Sequence, residues 1–377
     1  MPEIWLPYGT VEVPLKIKAE NLEKIYTPNT KPLDENSVRS RIKELELKGE
    51  TLIVVCEAEE ASASLVKAVI DASTESGKTA SVTVGAERSL HSWIKKVCEG
   101  SNVNIKVFTA SEASEAEVQR YDTKLLISKV SFNPLFGFSG GPVTLLKTLR
   151  PNFIAEAFKR AQSNEPRPGE ETVASFYAYS EAERLQMLGL EYISINEVLV
   201  DIAVGDLIEA HKQISQTFLD LCRIGLSTGL EAMIASAGSR RSASTLASAL
   251  NTLWNITRPI ENTTVVFFAE CIDGFGSEAL RLAATRDIEP FLSQGNYIEG
   301  LESVIYLRWL LKKAKPALLS TLPKYYVNRL GFIHLRSASE ALPYILKQKG
   351  SRVKISIFPS AEASLLTKSE RKSPTKA

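Results

Sequence analysis

The feature that most constrains this chain is a pattern, occurring twice, of short apolar runs separated by stretches of helical periodicity. In the first half, Leu52–Cys56 and Leu125–Ser128 are apolar runs too short for helices, and Ala80–Val84 and Val103–Phe108 repeat the strand signal. Such runs read as strands buried on both faces. Helical patterns near Ser37–Leu47 and over Ser62–Ala72 lie between them. Strands that alternate with helices build parallel, doubly wound sheets. The second half repeats the pattern: strands over Met233–Ser236, Thr264–Phe268, Gly331–Leu335 and Val353–Phe358 alternate with helices over Ala243–Trp254, Leu301–Lys313 and Ser337–Lys347. The expected fold class is α/β, with two doubly wound α/β domains. A length of 377 residues, about twice the usual domain, suits that number.

The expected division is residues 1–204, residues 205–365 and a disordered, basic, Pro-containing tail over 366–377. The chain opens on a hairpin, with Ile4–Pro7 and the alternating Val11–Ile17 joined by a turn at Tyr8-Gly9-Thr10. Ser163–Glu171, with three Glu and two Pro, reads as a solvated loop. A helix near Glu181–Met187 and strands over Tyr192–Asp201 then close the first domain, and the helix from Asp206 opens the second.

Lys and Arg number 45 against 44 Asp and Glu, a net charge of +1, so no global field points to nucleic acid or an acidic membrane. No apolar stretch approaches the roughly 18 residues of a membrane span, and Met1–Trp5 lacks the basic-then-apolar signature of a secretory signal. The expected location is cytoplasmic. Cys56, Cys98, Cys222 and Cys271 form no C-x-x-C pair and read as buried thiols. His91, His211 and His334 are far apart and read as packing or surface residues, so no metal site is expected.

Gly137-Phe138-Ser139-Gly140-Gly141-Pro142 follows a buried strand and opens a helix. Glycines let backbone N–H groups approach an anion, and a helix N-terminus adds positive partial charge, so this is a candidate cofactor-binding loop. A plain strand-to-helix crossover competes with that reading. The segment matches neither the Walker pattern nor G-x-G-x-x-G. It does spell G-x-S-x-G around Ser139, but Asn133-Pro134 interrupts the strand a hydrolase elbow requires. Glu57-Ala58-Glu59-Glu60 and Gly85-Ala86-Glu87-Arg88 stand at carboxyl strand ends, where doubly wound sheets bind ligands. Glu57, Glu60 and Glu87 are therefore candidate acid/base groups, with solvated helix starts as the plainer reading. Gly238-Ser239-Arg240-Arg241-Ser242 also opens a helix. Two cations there oppose the dipole, which an anionic ligand or facing carboxylates would explain. Asp273-Gly274-Phe275-Gly276 ends another strand, its glycines allowing close backbone approach.

Taken in order, Trp5-Leu6-Pro7-Tyr8-Gly9, Gly137–Gly141, Gly205-Asp206 with Glu209-Ala210-His211-Lys212, and Asp273-Gly274-Phe275-Gly276 resemble the lactate racemase family, LarA and its relatives, over most of residues 1–360. The resemblance implies two α/β domains with the active site in an interdomain cleft. It also implies a nickel-pincer nucleotide, which takes a hydride from the α-carbon of a 2-hydroxy acid and returns it to either face. Its phosphate-binding segment falls on Gly137, Phe138, Ser139, Gly140 and Gly141. Arg88, Asn133, Arg240, Arg241 and Asp273 are the candidate substrate- or anion-binding residues.

The reacting groups of the family are replaced. Val143 stands where the resemblance places a lysine joined covalently to the cofactor, Asn133 and Glu87 where it places the acid/base histidines, and Lys159 at or near the nickel-binding histidine. Glu57-Ala58-Glu59-Glu60-Ala61 takes the place of D-H-T-R-P, which puts an acid where an arginine would hold the substrate carboxylate, and Asn251 takes the place of a lysine on the substrate side. A glutamate cannot alternate between neutral base and cation as histidine does. The chain thus reads as a divergent relative of an isomerase that racemises or epimerises 2-hydroxy acids, not expected to work by the nickel-pincer mechanism. The alternative is a catalytically silent protein that binds an anionic small molecule or nucleotide, or that partners another copy or an active paralogue.

Overall fold

The computed structural model describes residues 3–28, 30–55, 57, 59–77, 79–86, 91–97, 104–109, 115–150, 152–161, 163–226, 229–286, 288–289 and 297–368. Strands β1 (Glu3–Tyr8) and β2 (Val11–Lys16) form the expected antiparallel hairpin, with Leu6 opposite Val13 and Ile4 opposite Leu15. Strand β3 (Leu22–Ile25), which no sequence pattern marked, follows.

The next elements are α1 (Glu35–Ile42), β4 (Gly49–Val55), α2 (Glu60–Ser76), β5 (Thr79–Ala86), α3 (His91–Val97), β6 (Asn104–Thr109), α4 (Glu115–Val118) and β7 (Thr123–Lys129). After them come β8 (Ser131–Asn133), β9 (Gly137–Ser139), α5 (Gly141–Leu149), α6 (Phe153–Ala161), α7 (Val173–Glu183), β10 (Leu188–Ile195), β11 (Val198–Asp206) and α8 (Leu207–Cys222). Six strands form a sheet in the order β11-β10-β7-β4-β5-β6, parallel except for the β10–β11 pair. Alternate residues feed two cores. Ile53, Val55, Leu125 and Ile127 meet Leu65, Val66, Val69 and Ile94 of the helices on one face. Leu52, Val54 and Leu126 meet Val143, Leu146, Phe153 and Ala178 on the other. Burial on both faces is why these strands are unbroken apolar runs, each such Leu or Ile contributing about 1.5–3 kcal/mol. From β4 the chain winds outward to β5 and β6 on one side and to β7 and β10 on the other, so the strand order switches between β4 and β7.

The helix expected near Glu181–Met187 starts earlier, as α7. Its start is a capping box, in which the Thr172 hydroxyl accepts from the Ser175 N–H and the Ser175 hydroxyl accepts from the Thr172 N–H.

The remaining elements are β12 (Arg223–Leu226), β13 (Ala232–Ser236), α9 (Arg240–Ser244), α10 (Leu246–Thr257), β14 (Thr264–Phe268), α11 (Glu278–Thr285), α12 (Leu301–Lys313), β15 (Ala317–Leu319), α13 (Lys324–Arg329), β16 (Ile333–Leu335), α14 (Ala341–Lys349), β17 (Ile355–Phe358) and β18 (Leu365–Lys368). An all-parallel sheet runs β16-β15-β14-β13-β17-β3, with its switch between β13 and β17. Leu6, Leu15 and Ile17 of the N-terminal segment pack on one face with Ile234, Val266, Phe268 and Ile357. The single helix expected over Ala243–Trp254 is two, parted at Thr245, which is extended (φ −124°, ψ 158°) and caps α10 by accepting the Ser248 N–H.

The chain divides into two units, Thr30–Ala161 with Glu170–Leu221, and Met1–Asn29 with Gln162–Gly169 and Cys222–Ala377. A single cut at residue 204 does not describe this. Strand β3 hydrogen-bonds to β17, which draws the N-terminus into the C-terminal sheet, and Leu207 at the start of α8 packs with Leu52, Val143 and Ala178 of its own unit, Thr30–Ala161 with Glu170–Leu221. The disordered tail does not begin at 366 either, since Leu366–Lys368 pair with Ile224–Leu226 in β18 and β12, and residues 369–377 lie outside the described residues. Among the described residues no helix is long and apolar enough to cross a membrane.

Candidate functional site

The carboxyl ends of β4 and β7 flank a switch point, the place where open α/β sheets bind ligands. Glu57, just past β4, is 8% exposed, and its Oε2 accepts the Lys129 backbone N–H at 3.1 Å. Glu59 accepts from Lys129 Nζ at 3.0 Å while taking part in a capping box with Ser62 at the start of α2. Both contacts tie the end of β4 to the end of β7. Glu60 is exposed in the first turn of α2, where an acid complements the dipole. Of the three candidate carboxylates, one is thus a buried bridge and one a solvated helix start. Glu87, with Arg88, lies outside the described residues.

The glycine segment forms a hairpin before its helix. In it β8 pairs with β9, Phe132 opposite Phe138, and Asn133 Oδ1 accepts the N–H groups of Leu135 at 2.9 Å and Phe136 at 3.0 Å. Asn133-Pro134 interrupts the strand because it makes this turn. The Ser139 hydroxyl shares a 2.6 Å hydrogen bond with that of Ser131. Gly137 lies against the Glu170 carbonyl.

Helix α5 begins at a carboxylate. Gly140 has a φ of 114°, open to glycine, and at Gly141 a Cβ would stand 1.8 Å from Glu191 Oε1. The Gly141 N–H donates to Ser128 Oγ at 2.8 Å. Glu191, fully buried on β10, pairs through Oε2 with His211 Nδ1 at 2.8 Å. Burial pushes the Glu191 carboxyl above its usual range, and His211 opposes that shift. Glu191 thus lies against the Gly140–Gly141 backbone at the start of α5. Its Oε1 and His211 Nε2 have no hydrogen-bond partner among the described residues. His211 is the packing residue expected, its ring 5.8 Å from that of Tyr179. Glu191 went unnoticed in the sequence, although it is the one charged residue in Leu188–Ile195, and a lone acid in a buried strand requires a partner.

The second switch point, between β13 and β17, has the same character. Glu362, beyond β17, reaches the loop after β13: Oε1 accepts the Ser239 N–H at 3.2 Å, Oε2 accepts the Ser239 hydroxyl at 2.8 Å, and the Ser242 hydroxyl donates to Oε2 as well. A Cβ on Gly238 would lie 2.9 Å from Glu362 Cδ. Arg240 and Arg241 are exposed on the first turn of α9. Asp273 is exposed, and the Gly274 and Phe275 carbonyls after it accept the first N–H groups of α10, so this glycine loop caps a helix. Cys222 and Cys271 are buried free thiols, burial pushing Cys271 up to about 12, while Cys56 and Cys98 lie outside the described residues. Among the described residues no group of three or more His, Cys, Asp or Glu could hold a metal ion.

No family model and no curated protein matches the sequence. In structure the chain is similar to the lactate racemase apoprotein from Thermoanaerobacterium thermosaccharolyticum, with a TM-score of 0.79 and 14% identity over 97% of this chain and 100% of that one. The chain has a lactate racemase-like α/β fold. A protein from Thermotoga maritima is also similar, with a TM-score of 0.65 and 9% identity over 91% of this chain and 100% of that one.

The residues present do not fit the nickel-pincer nucleotide that the resemblance implies. Val143 is 4% exposed within the core under α5 and offers no amine. Lys159 is exposed on α6, a helix without histidine. Asn133 is committed to its turn, and Gly141 is covered by Ser128 and Glu191.

Proposed function

We propose that this chain is a non-racemising protein built on the lactate racemase fold, which binds a small organic anion of the 2-hydroxy acid class instead of converting it. The observation that carries this reading is Glu191 at the start of α5: the segment that would cradle a cofactor phosphate holds a carboxylate of the chain itself. Val143 removes the covalent attachment, and a side chain without a nucleophile cannot regain it by rearrangement. Arg240, exposed on the first turn of α9, is a guanidinium of the geometry that receives carboxylates in bidentate fashion, and Arg241 beside it adds positive charge.

The test is protein purified from its native host, where cofactor-making enzymes would be present. Elemental analysis and intact mass are expected to show neither nickel nor an attached nucleotide, and chiral chromatography no interconversion of lactate enantiomers. Thermal melts with a panel of 2-hydroxy acids are expected to give a shift that Arg240→Glu/Arg241→Glu abolishes, since a ligand specific to the folded state must stabilise it. Bound nickel or turnover of lactate overturns the reading. So does a panel without any shift.

A further inference from the structure

At the amino-terminal edge of the all-parallel sheet, away from the strand ends just described, a cavity of about 330 Å³ is lined by Lys312, Lys313, Lys315 and Lys349 with Tyr344 and Gln348 among its walls. Two helices end there: Lys312 and Lys313 close α12, and Lys349 closes α14. Cations at helix C-termini are ordinary, because each end carries about half a negative charge. Two such ends amount to about one negative charge, against four lysines, which leaves an excess of about three positive charges. No carboxylate is among the lining residues. Glu261, an acid outside the lining, is paired with Lys368 at 3.1 Å and also feels the charge of Lys313.

The lysines are also partly ordered. Lys349 Nζ donates to the Asn262 carbonyl, and Lys313 Nζ lies 4.1 Å from the centroid of the Trp309 ring. The Tyr344 hydroxyl donates to the Lys315 carbonyl at 2.7 Å, fixing the loop between α12 and β15. A chain whose net charge is +1 thus concentrates positive charge in one concave place.

We infer that this cavity is a binding site for a small molecule carrying two or three linked phosphate groups. The charge excess matches such a ligand, since each phosphate brings about 1.5 to 2 negative charges. The concavity brings several ammonium groups to one oligophosphate, whereas a single phosphate would engage only part of them.

The experiment is isothermal titration of the full chain with orthophosphate, pyrophosphate and tripolyphosphate at constant ionic strength. Saturable binding of one ligand per chain is expected, tightening from orthophosphate to tripolyphosphate. Lys312→Glu/Lys315→Glu, both exposed positions, is expected to weaken tripolyphosphate binding at least tenfold with circular dichroism unchanged, while Lys67→Glu on α2 leaves it as in the wild type. Lys312→Arg/Lys315→Arg keeps the charge and should keep the binding. Absence of saturable binding, or equal loss in the Lys67→Glu protein, overturns the inference.

Discussion

Replacing Gly141 with alanine asks whether Glu191 fills the start of α5. The added Cβ would stand 1.8 Å from Glu191 Oε1, so the carboxylate must retreat by about 1.6 Å to reach ordinary van der Waals separation. That retreat works against the 2.8 Å contact with His211 on the other oxygen. Overpacking a filled core costs about 1–3 kcal/mol, and losing a hydrogen bond to a charged group about 1.5–3 kcal/mol. Alanine recovers at most about 1 kcal/mol over glycine in a helix. The net expectation is a loss of about 2–5 kcal/mol, a large share of the 5–15 kcal/mol that holds a typical protein together. Glu191→Ala alone is also costly, about 3–5 kcal/mol, because it strips a buried ionisable partner from His211. With that carboxylate gone, however, adding Gly141→Ala should cost under about 1 kcal/mol. Guanidinium denaturation followed by circular dichroism supplies the four free energies of the cycle. A coupling energy within about 0.5 kcal/mol of zero, or a Gly141→Ala protein as stable as the wild type, would refute the reasoning.

Other expectations follow from the same contacts. Burial raises the Glu191 carboxyl above its ordinary 4.5, so between those values the folded chain binds more protons than the unfolded one, and stability falls as pH rises from 4.5 through the raised value. Glu191→Gln should flatten that decline in melting temperature against pH, and an unaltered slope would count against Glu191 as its source. Glu362→Ala should cost about 2–4 kcal/mol through the donors of Ser239 and Ser242 left without their acceptor. Added sulfate should then raise the melting temperature of that variant more than that of the wild type, and equal responses would argue that Glu362 does not occupy an anion site. Asn133→Ala should cost about 1–3 kcal/mol by removing two hydrogen bonds in its turn, with Asn133→Asp restoring most of it; chemical denaturation of the pair checks this.

The fold was legible wherever a strand is buried on both faces, because Leu52–Val55 or Val265–Phe268 must then be apolar at every position. It was illegible where an element is short or held by long-range pairing. Strand β3 exists through its hydrogen bonds to β17, and β18 through β12, partners far away in the sequence. The positions of the glycine segments were equally readable, but their contents were not. Glu57 carries the same side chain whether it serves as a base or, as here, accepts the Lys129 N–H. Glu362 lies in a stretch without any motif, and only the winding of the sheet brings it to Ser239.

The two switch points share a physical problem. Winding a parallel sheet outward in both directions leaves a crevice where strand ends and helix starts point N–H groups at the same space. Donors there need acceptors, and a protein that does not rely on a bound anion for them must provide its own. Glu57 does so in one unit and Glu362 in the other, from loops that differ in each case. A carboxylate suits the task because it offers two oxygens, accepts from N–H and hydroxyl groups alike, and is stabilised by the helix dipole it meets. An internal acid that accepts these donors, as Glu57 and Glu362 do, satisfies them without a bound anion. On the function proposed above, the contacts that hold these crevices together are also the ones that fill them.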